Sequence, residues 1–500
     1  MTDLIKPFTH DYDDYLRDES RRAGSADMIA FPTTEAEVVE VLREAQTRGL
    51  AVTTQGARTG LVAGAVPQGG LILNLSRMNK LGEIRPDEAT GEHRLTVQPG
   101  ALLSEIQKIT GSQGLLFPPD PTETSASIGG MVASNASGAL TYCYGSTRDW
   151  VSVVRVVLCD GSTIQLKRGE NLAHGRSFSL GTEDGRLISG QLPAYTQPKT
   201  KSAASYYVVD DMDMVDLFIG MEGTLGVVTE IELRLISKPP VINGLTVFLP
   251  NEEAALKFVR FLRDEVVSAR PAAIEFFNHD ALDLLRKAKS ENPAFAEIPA
   301  LKPSFHTAIY VEFHGTAQDD LDEAIMQVMD AITALGGSDE DTWYATSDRE
   351  LEPLKAFRHA IPEAVNLLID ERKKTCPDIT KLGTDMSVPD EHLETVMAIY
   401  NAGLKENSLD SVIFGHIGNN HVHVNILPRD MGDYERGRSL YLSWAREIVA
   451  LGGSVSGEHG IGKIKTPFLE MMYGAEAIAE MRALKALFDP EMRLNTGNLF

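Results

Sequence analysis

Residues 33–70 read TTEAEVVEVLREAQTRGLAVTTQGARTGLVAGAVPQGG, and their punctuation decides how the chain begins to fold. Thr33 or Thr34 offers a side-chain cap, acids follow in the next turn, and Val38, Val41, Leu42 and Ala45 recur at helical spacing as one apolar stripe. Gly49 stands where such a helix stops. LAVTT then reads as a strand that runs straight into a loop with glycines at 56, 60 and 64. A glycine loop after a strand can turn several backbone N–H groups toward one anion. Its GxxxGxxxG spacing is neither GxGxxG nor GxxxxGK[ST], which disfavours a nicotinamide dinucleotide in a Rossmann crevice and ATP on a P-loop. A second glycine-rich stretch, SIGGMVASNASGALTYCYG at 127–145, brings Gly129, Gly130 and Gly138. Two such loops can hold one extended diphosphate.

Working outward, WVSVVRVVLC (150–159) and GMEGTLGVVTEIELRL (220–235) read as strands, so the first 236 residues form one mixed unit of helices and sheets. Ser237, Lys238, Pro239 and Pro240 end it, because consecutive prolines remove ladder donors. Beyond them come the strand GLTVFLP, a helix from Asn251, the strand HTAIYVEF and a helix from about 318. A second half repeats this order with KLGTDMSV, a helix from Pro389 and SVIFGH. The expected fold class is α+β: two β-α-β halves suit an antiparallel sheet with helices on one face, followed by a C-terminal loop and helix. The expected units are 1–236, 241–455 and 456–500.

Composition bounds the chemistry. With 500 residues the chain buries full cores, and 71 acids against 47 Lys plus Arg leave a net charge of −24, which repels nucleic-acid phosphates. An anionic substrate therefore needs a local cationic pocket. Three cysteines far apart, with no CxxC, supply neither a disulfide framework nor a four-cysteine cluster and suit a reducing compartment. The acidic start is unlike a signal peptide, no apolar run approaches the ~18 residues that span a bilayer, and a cytoplasmic chain is expected.

The chemistry concentrates in SVIFGHIGNNHVHVNILP, 411–428. Taken as a hairpin turning at Asn419 and Asn420, it sets His416 opposite His423 and Phe414 opposite Asn425. Alternation puts Ile413, Ile417, Val422, Val424 and Ile426 on an apolar face and His416, His421, His423 and Asn425 on the other. Facing imidazoles lie close enough to share a metal, and three of the 12 histidines within eight positions make chance an unfavoured account. Glu458 and His459, in SVSGEHGIGK, add a carboxylate that completes a two-His, one-carboxylate site and an imidazole left over as a base. Zinc suits such donors, and so do iron and manganese.

Taken together, FPTTEAEVVEVL, QGARTGLVAGAVP, PPDPTETSASIGGMVASNASG, GMEGTLGVVTEIELRL, GHIGNNHVHVNILP, SGEHGIGKIK and DPEMRLNTGNLF resemble, in this order and over nearly the whole chain, the FAD-linked oxidase family. Its flavin domain is the two-subdomain vanillyl-alcohol-oxidase/p-cresol-methylhydroxylase type, and the nearest group is similar to the D-2-hydroxy-acid dehydrogenases. The resemblance implies FAD held through Gly56, Ala57, Arg58, Thr59 and Gly60. It implies further flavin contacts at Pro119, Asp120, Thr122, Gly129, Gly130, Ser134, Asn135, Gly138, Glu222, Gly226, Val228 and Asn495. It also implies metal ligands at His416, His423 and Glu458, a substrate contact at Asn425, a catalytic base at His459 and a carboxylate-gripping arginine at Arg358.

Flavin-linked relatives attach FAD through a His in the first loop or a Cys in a later one. Arg58 stands at that first position, so non-covalent FAD is expected. Where the family's histidine loop reads HxGDGNxH, the middle here is Gly418, Asn419, Asn420 and His421, which alters the pocket next to the metal. Pro362 replaces a threonine of the D-2-hydroxyglutarate enzymes, and the place of their substrate lysine falls near Gly383, with Lys381 two residues earlier, which weakens the case for a dicarboxylate.

The implied reaction is oxidation of a small, D-lactate-like 2-hydroxy acid by metal-assisted proton abstraction and hydride transfer to flavin. Electrons would leave to a separate quinone, cytochrome or electron-transfer flavoprotein, since the chain ends after LNTGNLF without an added redox domain. A homodimer is left open. Rival readings are an FAD-dependent sugar or aldonolactone oxidase, which has no use for the metal triad, and a zinc-dependent hydrolase in which the glycine loops are structural. A non-catalytic electron-transfer subunit is disfavoured, because all the reactive positions are present.

Overall fold

The computed structural model describes residues 4–266 and 268–500; the first three residues of the expected first unit lie outside it. The opening stretch folds as read. Helix Glu35–Thr47 is capped by Thr34, whose side chain accepts from Glu37 N, and Val38, Val41, Leu42 and Ala45 are all buried. Thr33 contributes as well, donating to the Glu37 carboxylate. The strand Val52–Gln55 follows and pairs in parallel with Leu71–Asn74, which pairs in parallel with Met28–Ala30. Ile5–Pro7 closes this four-stranded sheet.

A second, antiparallel sheet runs in the order Leu81–Asp87, Glu92–Val97, Val227–Ser237, Val151–Val157 and Thr163–Lys167. Its apolar face forms a core with the helices Leu103–Gly111 and Ile128–Ser134. The end of the chain enters that same core through Leu469, Met481, Leu484 and Phe488 of helix Thr466–Phe488, and through Leu499. Leu494 then bridges to Val52 in parallel, so the C-terminus lies beside the strand that feeds the first glycine loop.

The third sheet is antiparallel, in the order Trp343–Ala345, Val241–Leu249, Thr307–Gly315, Pro271–Phe277, Ser411–His416, His421–Ile426 and Leu382–Gly383. Alternate residues of each strand feed different cores, as the pleat requires. Leu245, Val247, Ile274, Ile309 and Ile413 pack with the helices Glu252–Asp264, Gln318–Ala334, Leu393–Glu406 and Met431–Ala450. Phe248, Phe277, Ala308, Tyr310 and Val412 pack on the opposite side with the helices His279–Glu291 and Asp348–Lys373.

The antiparallel sheet is as expected, but helices cover both of its faces instead of one. The second layer escaped the sequence pattern because Asp348–Lys373 carries Pro353 and Pro362 inside a continuous helix. Central strand Pro271–Phe277 also escaped it: buried along its whole length, PAAIEFF lacks alternation. Conversely, KLGTDMSV supplies only the two-residue strand Leu382–Gly383 and a bridge from Ser387 to Ser454.

Candidate functional site

The hairpin forms, with its register shifted from the expected one. Residues 417–420 make a four-residue loop containing a 3-10 turn, so His416 faces His421 and Phe414 faces His423. Asn420 closes the loop in a left-handed conformation, donating its side-chain amide to Asp390 (2.6 Å) while its Oδ1 accepts from Arg263. Those distant partners select the longer loop. The shift is two residues, and side chains alternate with period two, so the faces do not change. His416, His421, His423 and Asn425 share one side, and Ile413, Ile417, Val422, Val424 and Ile426 are in the core on the other.

On the histidine side, His416 Nε2 lies 3.2 Å and His423 Nε2 3.1 Å from the two carboxylate oxygens of Glu458. His421 joins them: its Nδ1 is 3.9 Å from Glu458 and, although buried, has no hydrogen-bond partner. The second nitrogen of each ring is fixed. His416 Nδ1 bonds Glu275 (2.7 Å), His421 Nε2 bonds Asp385 (2.9 Å), and His423 Nδ1 bonds the Thr384 carbonyl (3.0 Å). Such outer contacts set the tautomer that leaves the inner nitrogen as a donor atom. Four ligating atoms, from His416, His421, His423 and Glu458, all lie within 4.8 Å of one another. A divalent cation fits this donor set, with the unbonded His421 nitrogen as an added position.

Gly415 makes the arrangement possible. Its φ is +124°, and a Cβ there would sit 2.8 Å from Cδ2 of His423.

Asp385 organises the facing turn. Its carboxylate accepts from the backbone N–H of Glu458 (3.2 Å) and His459 (3.1 Å), from Ser456 Oγ (2.7 Å) and from Lys465 Nζ (2.5 Å). Burial works against its charge, but His459, Lys465 and His421 hold the carboxyl well below its ordinary range. His459 sits with Nδ1 3.4 Å from Asp385 and Nε2 3.4 Å from Glu458. Burial outweighs both carboxylates and pushes its pKa down to about 4, so the imidazole is neutral near pH 7. Glu458 is paired with Lys201 at 2.7 Å.

His416, Glu458 and His459 open onto a cleft of about 340 Å³. Its walls carry Gly56, Ala57, Arg58, Thr59, Gly60, Thr122, Gly129, Gly130, Ser134, Gly138, Glu222, Gly226, Val228 and Asn495, together with His416, Glu458 and His459. The two glycine stretches converge because Gly56 comes so close to the helix-capping Ser127 that a Cβ would lie 2.1 Å from its Oγ. Ala57 N donates to that oxygen at 3.2 Å. An apolar cleft edged by two backbone loops fits an extended dinucleotide cofactor.

Several expected flavin contacts have other tasks. Asn495 accepts from Thr54 N (2.8 Å) and donates to the Glu222 carbonyl (3.0 Å), while the Glu222 carboxylate accepts from Ile461 N and Gly462 N, both 2.7 Å. Asn135 accepts from Arg148 N (2.9 Å), and Asp120 accepts from Leu140 N (2.9 Å) and lies 3.8 Å from Arg358.

Arg358, on helix Asp348–Lys373, is partly buried, and the cost of burial is offset by Glu275, Asp120 and Glu312, which keep it charged. Through Glu275 it is coupled to His416. Asn425 is buried opposite Gly383, on the same face as His423. Sequence reasoning missed Glu275, Asp385, Lys201 and the donor role of His421. A lone acid in the apolar run AAIEFF was the readable sign of Glu275, since a buried carboxylate needs a partner. Lys201 and Asp385 carried no comparable sign.

The class of protein, an FAD-linked oxidoreductase, follows from the family models that the chain matches. Residues 26–167 match an FAD binding domain, and residues 238–499 match the C-terminal domain of FAD linked oxidases. The chain belongs to the FAD-linked oxidase family. It is 31% identical over 505 residues to a D-2-hydroxyglutarate dehydrogenase of Xanthomonas citri pv. viticola, covering 99% of this chain and 94% of that protein. Glycolate oxidase subunit GlcD of Bacillus subtilis is 28% identical, covering 95% and 89%, and a D-lactate dehydrogenase of Anaerostipes hadrus is 28% identical, covering 97% and 92%. Among solved structures, an alkyldihydroxyacetonephosphate synthase shares the fold with a TM-score of 0.69 at 17% identity, covering 99% of this chain and 82% of that one. No helix among the described residues is long and apolar enough to cross a membrane.

Proposed function

We propose that the chain is an FAD-dependent dehydrogenase of small D-2-hydroxy acids, lactate-like in size, that yields the 2-oxo acid. The observation that carries this reading is that His416 and Glu458, members of the donor cluster, and His459 line the same cleft as the glycine loops. A hydrolase leaves that cleft without a task, and sugar oxidation leaves the cluster without one. The names of the relatives support the D-hydroxy-acid class.

When bound, FAD supplies a hydride acceptor, and a divalent cation on His416, His423 and Glu458, zinc by its donors, supplies the Lewis acidity that lowers a hydroxyl pKa. His459 accepts the hydroxyl proton at Nε2, with Nδ1 held toward Asp385. Arg358 grips the substrate carboxylate, and Asn425 orients the polar end of the substrate beside it. The positive charge of Arg358 and of the cation offsets the acidic chain for an incoming anion.

The proposed flavin unit is 1–236, the substrate unit 241–455 and the returning segment 456–500, supported by the shared core of the last segment with the flavin sheet. FAD is proposed to be non-covalent: Arg58, at the attachment position, stacks on Tyr15 at 4.3 Å. Acid precipitation then leaves a colourless pellet; a yellow pellet refutes it. A separate electron acceptor is proposed because three scattered cysteines cannot hold a cluster, and a cytoplasmic site because they suit a reducing compartment. A panel of D- and L-2-hydroxy acids with a dye acceptor tests the whole reading. Turnover of D-acids is expected, with oxygen consumed far more slowly than dye is reduced; turnover confined to sugars or lactones would overturn it.

A further inference from the structure

We propose that Lys201 is a positioning residue of the cation site: its ammonium holds one oxygen of Glu458, so that the carboxylate stays aimed between His416 and His423. This rests on the metal-assisted reading above and adds a residue to it.

Lys201 Nζ lies 2.7 Å from Glu458 Oε2, and its side chain is only 6% exposed. The two come from distant parts of the chain, 257 residues apart, and the lysine is delivered by a pinned segment. The Lys201 carbonyl accepts from Ser387 Oγ, Thr200 Oγ1 donates to the Val388 carbonyl (2.9 Å), and Ser202 Oγ bonds Ser454 Oγ (2.9 Å). Three successive residues are thus tied to Ser387, Val388 and the bridge residue Ser454, four positions before Glu458. Ser137 Oγ reaches the same Oε2 at 3.5 Å.

The spacing of the donors shows that the lysine need not leave. Metal bonds of about 2.0–2.1 Å in a tetrahedral shell put neighbouring ligand atoms ~3.3 Å apart. His416 Nε2 stands 3.2 Å from Oε2, the oxygen that Lys201 holds, and His423 Nε2 stands 3.1 Å from Oε1. Each of these histidines thus has a Glu458 oxygen at near-ligand spacing while the ammonium is in place on Oε2. Partners behind a ligating carboxylate orient it, and their loss typically costs about 10–100-fold in metal affinity. The opposing effect is repulsion between an ammonium and a divalent ion nearby, which predicts tighter binding when the lysine is removed. The two accounts differ in sign.

Lys201 and Ser137 also line a second, polar cavity of about 190 Å³, so a substituted side chain has room.

The test uses FAD-loaded protein stripped of metal with a chelator and titrated with Co²⁺, read by cobalt absorbance beyond the flavin band. Lys201→Met is expected to weaken Co²⁺ binding by about 10–100-fold while flavin content and unfolding temperature stay near wild type. Lys201→Arg, which keeps charge and donor, should recover most of that loss. Should the Met variant fold poorly, Lys201→Gln carries the same expectation. Unchanged or tighter Co²⁺ binding in the neutral variants overturns the inference. Failure of the underlying metal reading looks different: wild type itself binds no Co²⁺, or His423→Ala binds it as wild type does.

Discussion

His423 and His459 approach the same carboxylate oxygen, at 3.1 and 3.4 Å from Glu458 Oε1, yet the proposed site gives them different work. His423→Ala removes a ligand and should lose metal and activity together. His459→Ala should keep metal and FAD and lose turnover by about 10²–10⁴-fold, the usual contribution of a general base. Metal analysis and dye-coupled rates on the two purified variants check this; a metal-replete, active His423→Ala protein refutes the site. At this scale the sequence was informative wherever residue type and spacing carried chemistry, as with three histidines on one strand face and the glycine-flanked Glu458. It was silent on partners brought in from afar. Glu275 and Asp385 meet these histidines, and Lys201 meets Glu458, through strand pairing and loop packing, for which no local pattern exists.

The hairpin shows what an element adds to its residues. Period-two alternation put the histidines on one face, and a register displaced by two residues left that face intact. What alternation could not reveal was the loop length, set by contacts of Asn420 with Asp390 and Arg263. The same strand holds a position that acts on metal without touching it. Gly415→Ala puts a Cβ 2.8 Å from the His423 ring, at a φ of +124° that side chains rarely adopt. Metal affinity is expected to fall although all the ligands remain, with an accompanying loss of roughly 1–3 kcal/mol in stability from the strained backbone. Metal titration and denaturant unfolding measure the two effects, and a variant with wild-type metal affinity would show that the ring has room to move. Helices were read well where a cap and a stripe coincide, as at Thr34. They were missed where prolines sit inside a buried helix, as in Asp348–Lys373.

Across the whole molecule, the chain closes on itself at the cleft. Leu494 lies against the first parallel strand, Asn495 ties that strand to Glu222, and Glu222 holds the turn that carries His459. Order along the chain suggested this return only through the family resemblance, because a tail's docking partner leaves no periodicity. Burial is the largest influence on Glu222 and, against the amides of Ile461 and Gly462, pushes its carboxyl up to about 7. Between the ordinary carboxyl range near 4.5 and that value, the folded chain binds a proton that the unfolded chain has lost, so this group's contribution to stability falls as pH rises through the window. Glu222→Gln should flatten that part of the stability profile, and thermal unfolding of both proteins from pH 5 to about 8 checks it. An identical slope in the two would exclude Glu222 as its source. In the proposed function, a flavin cleft and a cation cluster from two halves of the molecule serve one reaction. Anaerobic bleaching of the bound flavin by D-lactate, followed before and after removal of metal by a chelator, tests that junction most directly. The account predicts bleaching by the D-acid and not by the L-acid, lost on chelation and restored by the divalent ion; bleaching at an undiminished rate in the metal-free protein would contradict it.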